Sequence, residues 1–180
     1  TSYPVYGNFF RSLRNIDPVQ RAVFARILRD NFLTGTGIER YEYLEILKPM
    51  LRDEEVELNL QSLIEYTKEL FWLFLPRETY GQSPHSEKVV KGKSVYLING
   101  FWPEGWEHRY PELILLEKIE KSGSSSAKAV CFRGFRSIVM TDEGIDILRE
   151  VWKGKRSFEG LTFSERDYCD MALELAVREV

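Results

Sequence analysis

The chain has 180 residues, 43% of them hydrophobic and 29% charged, with a formal net charge of −3. That balance excludes a disordered chain. No apolar run nears the roughly 20 residues of a membrane-spanning helix, the longest being Leu70 to Leu75.

Charge is unevenly spread. Residues 1–85 hold 10 basic against 12 acidic side chains, residues 86–156 hold 13 against 10, and residues 157–180 hold 2 against 6. The middle is mildly basic, well short of the bias of a dedicated nucleic-acid binder. Thr1 to Phe10 has neither the basic start nor the apolar core of a signal peptide. Cys131 and Cys169 do not form a close pair, so they are expected to be reduced and buried, in a cytoplasmic setting.

The first element is a helix. Asp17 is a good N-cap, Pro18 suits the first helical position, and Val19, Ala22, Val23, Ile27 and Leu28 recur at helical spacing. Thr34-Gly35-Thr36-Gly37 ends it. It lacks the Lys-Ser/Thr of a phosphate-cradling loop. A second helix is expected from about Glu39 to Leu47, stopped or kinked by Pro49. A third follows from about Asp53, where Asp53, Glu54 and Glu55 suit the positive end of a helix dipole. Its seam is Val56, Leu60, Leu63, Thr67, Leu70 and Phe74, widened by Ile64 and Phe71. Such a stripe is a domain core or, with Leu58 facing outward, a homodimer contact.

Leu70 to Leu75 is apolar all round and fits either a buried helix end or a strand. Residues 77–93 are polar and rich in turn formers. Ser94 to Asn99 has strand character. Glu112 to Glu120 and Ala127 to Met140 flank the flexible Lys121–Ser126 connector, which predicts a β-hairpin, with Gly134 as a bulge or a point of close approach. Two helices close the chain. One is capped by Thr141 and faces inward with Ile145, Leu148, Val151 and Trp152. The other begins at Ser164, with Asp167 at the third helical position and Met171, Ala172 and Leu175 inside.

The expected fold is therefore a single α+β domain over residues 1–180: a three-helix unit, central antiparallel strands and two C-terminal helices. The chain also divides at residue 100. The first part fits a winged helix, with Phe71–Pro76 and Ser94–Asn99 as wing strands, and residues 101–180 hold the hairpin and the last two helices.

No catalytic motif stands out. There is no Gly-x-Ser-x-Gly, and no His or Cys spacing suits a metal, so no cofactor or metal is expected. The second half of Gly100 to Tyr110 places His108 near Glu104, Glu107 and Glu112, which offers an acid–base pair for a small enzyme as a minor reading. The same segment carries Phe101, Trp102, Trp106 and Tyr110 among Pro, Gly and charges. Such aromatics dominate interface hot spots. The leading expectation is a non-enzymatic module that binds a protein partner through Phe101, Trp102, Trp106, His108 and Tyr110.

The alternative is a winged-helix DNA-binding regulator, for which Lys128, Arg133, Arg136, Lys153, Lys155 and Arg156 form a candidate basic patch. Phe132-Arg133-Gly134-Phe135-Arg136 starts like an RNA-binding strand motif, but Ser137-Ile138-Val139-Met140 does not continue it. The third helix opposes duplex binding, because its acidic residues outnumber Lys68 and repel phosphates.

Overall fold

The computed structural model describes residues 15–35, 40–74 and 111–178. Seven helices run through them: α1 (Pro18–Leu33), α2 (Arg40–Asp53), α3 (Glu57–Phe74), α4 (Pro111–Lys121), α5 (Ser125–Ile138), α6 (Asp142–Trp152) and α7 (Glu165–Val177).

The α+β expectation is overturned: there is no strand among the described residues. The segments expected to pair as a hairpin are α4 and α5. Their connector is a helix-hairpin turn in which the Ser124 side chain accepts from the Ala127 amide as N-cap. Branched and aromatic residues in this stretch suggest strands by composition, but their placement is helical. Val130, Cys131, Phe135 and Ile138 fall at helical intervals and are all buried.

The winged helix fails with the hairpin. Residues 71–74, assigned to its first wing strand, are the last turn of α3, and Ser94–Asn99 lies outside the described residues. The uniform apolarity of that turn has a packing cause. Leu70 and Phe71 enter the core, and the Trp72 Nε1 donates to the Ser137 carbonyl at 2.8 Å, leaving Leu73 as the one exposed residue of these four.

The N-terminal expectations hold better. Asp17 caps α1 by accepting from the Val19 amide at 2.8 Å, and Gly35 ends it with φ of 69°. The α2 helix continues through Pro49 to Asp53 instead of stopping. Leu60, Leu63, Ile64, Thr67, Leu70 and Phe71 are buried in the domain core, which commits the seam between them, while Val56, expected in the seam, is 38% exposed before α3 begins and Leu58 is 72% exposed. Thr141 caps α6 by accepting from Gly144, and Ser164 and Asp167 form a full capping box on α7. Cys131 is buried and Cys169 is exposed, which corrects the expectation for the second cysteine. Burial pushes the Cys131 thiol up to about 11, so it is a packing residue, not a nucleophile.

The helices stack in two layers. One row runs α1, α3, α5, α7, each against the next, and α2 packs on α4 in the second row. Successive helices pair as well: α1 with α2, α2 with α3, α4 with α5 and α6 with α7. Short connectors favour such antiparallel neighbours. The resulting arrangement is that of a stacked helical array.

The α5 helix is central to it. Phe132 touches Phe158, with ring centroids 5.9 Å apart, and Phe163, at 4.6 Å. On its other side Gly134 lets α5 approach α3. A Cβ at position 134 would lie 2.7 Å from Ile64 Cγ2 and 3.2 Å from Leu115 Cδ1. Of the two expected roles this glycine takes the close approach, at a helix crossing, and not the bulge. The Ile64 methyl sits on a branched carbon and cannot swing away. Gly134→Ala is therefore expected to cost about 1–3 kcal/mol by overpacking, despite alanine's better helix propensity. Urea unfolding checks this; a more stable variant would show that the crossing relaxes freely.

Candidate functional site

The expected site residues divide into two groups. Phe101, Trp102, Trp106, His108 and Tyr110, with Glu104 and Glu107, lie outside the described residues.

Glu112, the remaining carboxylate of the minor acid–base reading, is described and fully buried. It sits in the first turn of α4 and accepts from the Met140 amide at 3.0 Å, the Thr141 amide at 3.0 Å and the Thr141 hydroxyl. Burial raises its carboxyl above the usual range, against the pull of these donors. It anchors the start of α6 to the start of α4, and these three donors account for both carboxyl oxygens.

The basic residues are described, and the fold distributes them. Lys128 is buried, and its Nζ donates to the Glu159 carbonyl at 2.7 Å. Arg136 donates to Asp170 at 2.9 Å and stands 3.8 Å from Asp167. Arg156 pairs with Glu120 at 3.2 Å and lies over the Phe158 ring. Arg133, Lys153 and Lys155 are exposed. Half of the six cations are thus engaged within the fold, which leaves a thin field for a polyanion.

Arg133 and Arg136 line a cleft of about 420 Å³ between α3 and α5, together with Gln61, Glu65, Lys68 and Glu174. Its charges largely satisfy one another. Lys68 stands 3.8 Å from Glu65, and Glu174 accepts from Arg178 at 2.7 Å. An anion entering here would face Glu65 and Glu174 as well as the cations.

Sequence reasoning missed a buried polar node. Glu54, 4% exposed, closes the gap between α2 and α3. Arg21 of α1 grips it in bidentate fashion, with Nε to Oε2 at 2.9 Å and Nη2 to Oε1 at 2.8 Å. Glu54 also accepts from the amides of Glu55 and Val56 and from Asn59 Nδ2. Lys118 of α4 donates to its carbonyl at 2.7 Å. Burial alone would push the Glu54 carboxyl up, but Arg21, Val56 and Asn59 outweigh it and hold it below the usual carboxylate range. The sequence signal was the acidic run at residues 53–55; its partner lies 33 residues away.

The described surface has a second feature. Among the described residues, the outer sides of α1 and α7 carry aliphatic as well as polar side chains. On α1, Val19, Val23 and Ile27 are 70%, 52% and 53% exposed, spaced four apart and opposite the buried Ala25, Leu28 and Phe32. On α7, Leu173 and Val177 are 65% and 48% exposed, opposite Met171 and Leu175. A single exposed aliphatic residue is ordinary, but aligned rows are not. Among the described residues no group of three or more His, Cys, Asp or Glu could hold a metal, and no described helix is long and apolar enough to cross a membrane.

No family model matches the chain, and no curated protein or solved structure matches it.

Proposed function

We propose that the chain is a non-enzymatic module that works by protein–protein contact. The observation that carries this reading is the pair of outward aliphatic rows, on α1 and on α7, at the two ends of the row formed by the described helices. Terminal elements of a stacked array normally present a polar outer face to water. Here three aliphatic side chains of α1 and two of α7 face outward among exposed polar ones. The aromatic segment with Phe101, Trp102, Trp106, His108 and Tyr110 adds to the reading by residue type, since Trp and Tyr are the commonest hot-spot residues.

The test separates contact from core. In the isolated chain, Trp102→Ala and Trp106→Ala are expected to leave the melting temperature within a degree or two. Wild-type chain should capture a protein from source lysate, with or without nuclease, and Trp106→Ala should weaken that capture by about 2 kcal/mol, roughly thirtyfold. A fall of many degrees in both variants would make the segment a structural plug and end its role in the proposal.

A further inference from the structure

We draw no further inference here: the strongest candidate, the cleft of about 420 Å³ between α3 and α5, carries nothing, because Lys68 pairs with Glu65, Arg136 with Asp170 and Glu174 with Arg178, and nothing in the structure points to a ligand for it.

Discussion

Arg21→Ala is expected to be the most damaging single change among the described residues, costing about 3–5 kcal/mol of folding stability, because it leaves a buried carboxylate without its counter-charge. The side chains of Arg21 and Glu54 are 17% and 3% exposed, so solvent cannot replace the lost guanidinium. The damage would not stay local. Glu54 receives α1 through Arg21, starts α3 through the Val56 amide, and meets α4 through Lys118 on its carbonyl. Arg21→Lys would keep the charge but lose the bidentate fork, and should fall between wild type and alanine.

The same node sets an acid limit. The folded Glu54 carboxyl is held below its ordinary range. Its contribution is fully present above the ordinary carboxylate value and is lost as pH falls through the lowered folded value. Urea unfolding as a function of pH should show wild type losing stability at acid pH more steeply than Arg21→Ala. Parallel pH profiles would show that the pair contributes nothing to the linkage.

The sequence was legible where local chemistry decides local structure. Asp17 with Pro18, Thr141, and Ser164 with Asp167 each mark a helix start because the capping partner lies within three residues. The α3 seam was legible because its period is unmixed. The stretch from Glu112 to Met140 was not, because strand propensity is weak information about a helix buried nearly all round. The Ser126, Arg133 and Ser137 side marks a helical interval, but the β-branched and aromatic composition outweighs it. Gly134 was legible as a close approach but not as one between helices. The pairing of half of the basic residues was hidden for a different reason. Lys128 and Arg136 find Glu159 and Asp170 at separations of 31 and 34 residues, and no window along the chain reveals such partners. The outer rows were half visible. Val19, Val23 and Ile27 marked a helix correctly, but their spacing alone gave no sign that the line faces away from the core.

Glu112→Ala should cost about 3 kcal/mol, since it strands the Met140 and Thr141 amides in a site from which water is excluded. For a chain of this size that is a fall in melting temperature on the order of 10 °C. Glu112→Gln is the sharper probe. It keeps shape and one acceptor but turns an amide donor toward a backbone N–H, so it should recover only part of the loss. The pH dependence runs opposite to that of Glu54. Burial raises the folded Glu112 carboxyl above its ordinary value. Its favourable contribution is therefore fully present below the ordinary value and is lost as pH rises through the raised one. Glu112→Gln has no proton to lose, so its stability relative to wild type should improve across that window. If Glu112→Ala melts within two degrees of wild type, the carboxylate is not the link between the starts of α4 and α6. If the Gln variant tracks wild type at every pH, burial does not shift the Glu112 carboxyl from its unfolded value.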